Sequence, residues 1–142
     1  MDVCALCRPF DDQSALRIRL ETNAYYLVVQ GIQNGDFELI VSPAHYNEVD
    51  KIRELQERYE IHSLFASIGR EARCDLLEAR RRAEELHSKG FGAADAAHAA
   101  FAELCADYLI TCDDKFLKKY RREAARISAM GLVEFCVEKE LR

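Results

Sequence analysis

Two short apolar runs each pass straight into a helix-start signal. FELIV (37–41) leads into Ser42-Pro43, an N-cap residue followed by a proline suited to the first helical position. DYLITCDD (107–114) carries Tyr108, Leu109, Ile110 and Thr111 as a strand into two adjacent aspartates, one of which is placed to cap the next helix. Strands separated by helices pair in parallel, with helices on the sheet faces and right-handed crossovers. The expected fold class is therefore α/β, a short parallel sheet flanked by helices.

The remaining punctuation agrees. All six glycines (Gly31, Gly35, Gly69, Gly90, Gly92 and Gly131) and both prolines (Pro9 and Pro43) stand where the hydrophobic period changes. Residues 13–32 place Leu16, Leu20, Ala24, Leu27 and Val28 on one helical face, with Asp11 or Asp12 as a candidate cap. A helix starts at Pro43, and Ile61, Leu64, Phe65 and Ile68 mark another short one. Residues 75–89 form an amphipathic helix stopped by Gly90, and residues 92–106 an alanine-dominated helix thin enough to lie close to a sheet. A basic helix over about 114–124 and a strand near Arg126–Met130 follow, while LVEFCVE (132–138) carries no clear assignment.

At 142 residues the chain is expected to be a single domain, 1–142. No apolar run approaches the ~20 residues of a membrane span, and no secretory signal opens the sequence, so the expected compartment is the cytoplasm. A net charge of −5 argues against broad attraction to polyanions but permits a local basic patch. Of six cysteines, only Cys4 and Cys7 form a CxxC; the others are scattered, and His45, His62, His87 and His98 lack ligand spacing. Reduced, packed thiols are expected rather than zinc or disulfides.

The chemistry lies in the acids. In open parallel sheets the reactive edge is at the carboxyl ends of the strands. The helix from Pro43 places Ala44, Glu48, Ile52, Leu55 and Tyr59 within an ~80° arc, so Glu48 is expected on the buried stripe near that edge. Asp95 stands in the first turn of a helix that runs back against the sheet, so it reaches the same edge; the helix dipole alone would also favour an acid there. Asp113 follows the 108–111 strand, with Asp114 beside it, and Asp2 precedes VCAL at the start of the sequence. Two like charges ~5 Å apart repel by about 3 kcal/mol at an effective dielectric of ~20. Such a cluster calls for a cation or bound protons. Carboxylates without thiolate suit Mg²⁺ or Mn²⁺, which points to hydrolysis of a phosphodiester.

With these residues in place the chain resembles the PIN domain family, especially the VapC-type toxin ribonucleases. GAADAAHAAFAELCADYLITCDDKF resembles the family's Asp-Ala-x-His helix with its following strand and Thr-x-Asp; DVCALCRPFDDQ and SPAHYNEV resemble the segments that carry the first and second acids. The resemblance implies a PIN-like three-layer fold in which Asp2, Glu48, Asp95 and Asp113 bind Mg²⁺ or Mn²⁺, with Thr111, Ser42 and Asp114 in support. It also implies an RNA substrate, an antitoxin protein as partner and a homodimer. Two departures stand out. Only Met1 precedes Asp2, where relatives have several residues of strand, so the first strand is expected to be truncated. Cys4 and Cys7 replace the serine or asparagine and the asparagine of relatives.

A nuclease needs basic side chains to hold the backbone of its substrate. Arg8, Lys115, Lys118 and Lys119 lie nearest the acids in sequence, with Arg121, Arg122 and Arg126 beyond. Arg80, Arg81 and Arg82 are offset by Glu78, Glu84 and Glu85 and are expected on a solvated face. The other reading of the same chain is a PIN-like domain with an impaired metal site that binds protein or RNA without cutting it.

Overall fold

A computed structural model describes residues 1–142. It is mixed α/β, with eight α-helices and four three-residue strands. Asp2 caps the short α1 (Val3–Leu6), accepting the Ala5 N–H at 3.0 Å, and a 3₁₀ turn follows at Arg8–Phe10. No strand precedes the first acid. The only sheet-like contact there is the Asp2 N–H donated to the Ile110 carbonyl at 2.8 Å.

The long α2 (Leu16–Asn34) ends at Gly35, whose φ of 87° is the left-handed C-terminal turn that glycine makes without strain. It starts later than periodicity suggests. Neither Asp11 nor Asp12 caps it: Ala15 is the cap residue, and Asp12 binds the Ser14 N–H and hydroxyl instead. The buried face also differs. Leu16 and Leu20 are 65% and 51% exposed, while Glu21, Thr22, Ala24, Tyr25 and Val28 turn inward. The reason is electrostatic: Glu21 accepts hydrogen bonds from both Arg8 and Arg17, so this face can hold a paired carboxylate.

β1 (Leu39–Val41) enters α3 (Pro43–Val49) as expected from Ser42-Pro43. That helix stops at Asp50, and α4 (Leu55–Ile68) begins separately, so the proposed stripe from Ala44 to Tyr59 does not exist as one face. Leu55 and Tyr59 are exposed, and α3 buries His45 and Val49. α4 runs directly into β2 (Gly69–Glu71), a strand with no apolar signal in its sequence. α5 (Leu76–Ser88), capped by Asp75, packs against α6 (Ala93–Cys105). β3 (Tyr108–Ile110), α7 (Asp114–Glu123), β4 (Ser128–Met130) and α8 (Leu132–Glu138) complete the chain.

All strand pairing is parallel, but the four strands do not form the one sheet expected. β1 pairs with β2, and β3 pairs with β4, as two separate ribbons. Between them lies a slot. Alternating side chains of β3 serve two cores: Ile110 joins the larger cluster with Leu6, Val28, Leu39, Phe65 and Leu132, whereas Leu109 joins the smaller with Leu86, Phe91, Phe116 and Tyr120. The β3–β4 ribbon is thus the wall between two apolar layers. No helix is long and apolar enough to cross a membrane.

Candidate active site

The carboxyl ends of β1 and β3 open on one neighbourhood, and the four expected acids reach it by different means. Asp2 is buried against β3, and burial pushes its carboxyl above the ordinary range, with the Thr111 hydroxyl and the Ala5 N–H working in the other direction. Thr111 is itself buried, and its oxygen accepts the Asp113 N–H at 3.0 Å. That hydroxyl thereby fixes the turn that carries the chain from β3 to Asp113. Asp113 caps α7, accepting the Lys115 and Phe116 N–H groups at 2.9 and 3.0 Å.

Glu48 is half-exposed, on the last turn of α3, and its partner is an imidazole rather than a guanidinium. His98 Nε2 donates to Glu48 Oε2 at 2.8 Å from a buried ring one turn beyond Asp95. That ring packs edge-on against His45, with centroids 4.7 Å apart. His45 Nδ1 accepts the Ser42 N–H at 3.0 Å, which places its proton on Nε2 for donation to the Met1 carbonyl at 2.7 Å. Burial, then the neighbouring His98, hold His45 neutral down to a pKa of about 3. Ser42 accordingly orients His45. It supports an imidazole, not a metal-binding acid.

Asp95 is the electrostatic focus. Its carboxyl is pushed up to about 6, first by partial burial and then by the charges of Asp113 and Asp2, with a smaller push from Glu48. His98 opposes them. The other three expected acids are therefore close enough to act on Asp95, and none of the four forms an ion pair with lysine or arginine. No three acidic, histidine or cysteine side chains are drawn together as a ready-made ligand set. The donors are of the hard-oxygen type that Mg²⁺ and Mn²⁺ prefer, but they stand as neighbours rather than as a closed cage.

The supporting and basic residues divide sharply. Asp114 turns away to a two-pronged grip by Arg17, at 2.6 and 2.8 Å, and fastens the start of α7 to α2. Arg8 is not free to meet a polyanion, because its mostly buried guanidinium is committed to Asp11 and Glu21. Lys115 and Lys118 are exposed, whereas Lys119 lies over the Phe91 ring at 4.8 Å from its centre. Arg121, Arg122 and Arg126 pair with Glu134, Glu123 and Glu85. Arg80 pairs with Glu84 on the surface as expected, but Arg82 is buried against Glu103.

From sequence His98 reads as a hydrogen-bonded packing residue rather than a ligand, as the structure has it, but its partner Glu48 and the role of His45 are not found. The signal was present in their positions three residues from Ser42 and from Asp95, but it becomes legible only when α3 and α6 are brought together. All six cysteines are free; burial raises Cys4 to about 11 and Cys112 to about 12, which makes both unreactive thiols. No family model, curated protein or solved structure matches the chain.

Proposed function

We propose that this chain is a PIN-like, divalent-metal-dependent endoribonuclease acting as the toxin of a toxin–antitoxin pair. The observation that carries the reading is that Asp2, Glu48 and Asp113 all lie near Asp95 with no lysine or arginine to balance them, so that burial and then these charges push the Asp95 carboxyl up to about 6. A hard dication, Mg²⁺ or Mn²⁺, would relieve that repulsion, activate water and offset charge developing on a phosphodiester. Asp95 and Asp113 would meet the ion most directly. His98 holds the Glu48 carboxylate in a fixed orientation, the Thr111 hydroxyl holds the Asp113 backbone, and the Asp2 amide is tied to the Ile110 carbonyl. Lys115 and Lys118, beyond Asp113 and exposed, are the side chains best placed to meet RNA phosphates. An antitoxin and a second copy of the chain, both implied by the family resemblance, belong to the same reading.

A second reading follows from how the acids are occupied. Asp2 and Asp113 each spend an oxygen capping a helix, and Glu48 spends one on His98. A chain so arranged would bind RNA or protein without cleaving it. Mn²⁺-dependent cleavage of single-stranded RNA separates the two. The nuclease reading expects cleavage by the wild-type chain and at least a hundredfold loss in both Asp95→Asn and Asp113→Asn. Cleavage that is equal in all three defeats the site assignment. RNA binding without cleavage, with no metal-dependent change, establishes the second reading.

A further inference from the structure

The hairpin of α5 and α6 ends in a feature that the proposed chemistry leaves unused. Each helix is 13 residues long, and the short turn through Gly90 sends the second back along the first, so the two pack antiparallel. The start of α5 therefore lies beside the end of α6. Cys74 stands just before the Asp75 cap of α5, and Cys105 is the last residue of α6. Topology alone brings these two cysteines to one place. Their side chains meet there: the Cys105 thiol has the Cys74 thiol as its hydrogen-bonding neighbour, with the Arg73 backbone beside it.

Both thiols are free and half-buried, and Cys105 lines an open hollow of about 770 Å³ together with Arg73, so a small solute reaches the pair. The other cysteines differ. Cys112 and Cys136 are buried, and Cys7 turns its thiol to Glu57. The position of the pair gives a bond there a consequence. Cys74 follows β2, which ends at Glu71, and Cys105 precedes β3, which begins at Tyr108. A link between them would join the β1–β2 ribbon to the β3–β4 ribbon, which share no strand pairing.

We propose that Cys74 and Cys105 are a redox-modification site: a hydroperoxide converts them to a reversible disulfide that fastens the β1–β2 ribbon to the β3–β4 ribbon. Thiols already in contact need little backbone movement to bond. Burial and then the adjoining Cys74 thiol push Cys105 up to about 11, which keeps it protonated and assigns it the second step. Cys74 reacts first. Its sulfur, as thiolate, attacks one peroxide oxygen, the O–O bond breaks, and the other oxygen takes a proton and leaves as water, giving a sulfenic acid. Cys105 then attacks that sulfur, the S–O bond breaks, and hydroxide leaves as water with the Cys105 proton. Contact between the two groups supplies the effective concentration that offsets a weakly acidic thiol. The thiols give up two electrons and two protons, and hydrogen peroxide becomes two molecules of water. A dithiol reductant reverses the change. Asp95 lies in the first turn of α6 and Cys105 at its far end, about 15 Å along the axis, so this inference is independent of whether the acids bind metal.

The test treats the full chain with a small molar excess of hydrogen peroxide and follows intact mass, nonreducing peptide maps, calorimetry and residue-resolved amide exchange. The wild type is expected to lose the mass of two hydrogen atoms and to yield one linked peptide pair that holds Cys74 and Cys105. Its Tm should rise by about 5–10 °C. The Ala72 amide, which donates to the Val41 carbonyl close to the new bond, should exchange about tenfold more slowly or better. Dithiothreitol should return every reading to its start. Cys105→Ser should stop at one added oxygen on Cys74, captured by a sulfenic-acid reagent, with no gain in Tm, and Cys74→Ser should leave Cys105 unmodified. The reduced wild type is its own reference, so the proposal can fail without either variant having to fold. Four results overturn it: both thiols retained while other cysteines oxidise, a bond joining other cysteines such as Cys4 with Cys7, a bond between two copies of the chain, or a Cys74–Cys105 bond that leaves Tm and Ala72 exchange unchanged.

Discussion

Asp95 shows how one carboxyl reports on its surroundings. Its folded value of about 6 lies above the ordinary 3.8, so between these values the native chain holds more proton than the unfolded one. Stability contributed by this residue is therefore present at low pH and lost as pH rises through about 4 to 6. Asp95→Asn removes the repulsion permanently. It should raise Tm at pH 7 by about 2–4 °C, taking the gain as roughly 1 kcal/mol after allowance for partial exposure, and give no gain at pH 4. Calorimetry at the two pH values checks this, and an unchanged Tm at pH 7 would mean that the neighbouring charges do not reach Asp95. Expecting an acid in a first turn was sound from sequence. What raises its pKa is first its burial and then the company of Asp113, Asp2 and Glu48, none of which sequence order displays.

At the scale of elements, the tightest joint is a buried polar one. Arg82 on α5 donates two hydrogen bonds to Glu103 on α6, at 2.7 and 3.0 Å, and Tyr120 on α7 donates to the same carboxylate at 2.7 Å. Three helices meet on one anion. Removing it by Glu103→Ala strands a buried guanidinium and should cost about 3–5 kcal/mol in urea unfolding, whereas Tyr120→Phe should cost about 1–2. Equal costs would show that Glu103 is not the centre of the joint. The junction of α4 and β2 is tight in a different way. A Cβ on Gly69 would lie 2.5 Å from the Phe65 carbonyl oxygen and 2.8 Å from a Val41 methyl. Because backbone cannot yield cheaply, Gly69→Ala should lose about 1–3 kcal/mol by the same measurement. The glycine was visible in the sequence as punctuation. The strand after it was not, since Gly-Arg-Glu has no apolar pattern and becomes a strand by pairing with Leu39, Ile40 and Val41.

For the whole molecule, the two ribbons differ in how well they are enclosed. β3 and β4 have core on both faces, with Leu109 and Ala129 in one cluster and Ile110 and Met130 in the other. β2 is an exposed edge whose arginine and glutamate stand in solvent. Local opening follows the least buried hydrogen bonds. Native-state hydrogen exchange in low denaturant should therefore release β1–β2 amides before those of β3–β4. A single shared opening energy for both ribbons would indicate that they behave as one sheet despite the slot.

The chain's own letters determined where most helices begin and end, because caps, glycines and prolines act on the residues beside them. They determined the alternation of strand and helix, hence parallel pairing, and they marked the acids at strand ends. The tertiary structure alone decided that α2 turns Glu21 inward in place of Leu16 and Leu20, that Glu48 meets His98, that Arg8 is consumed by Asp11 and Glu21, and that the strands divide into two pairs with a gap. These outcomes depend on charges and backbone edges contributed from distant parts of the chain, and no local pattern encodes which of them will meet.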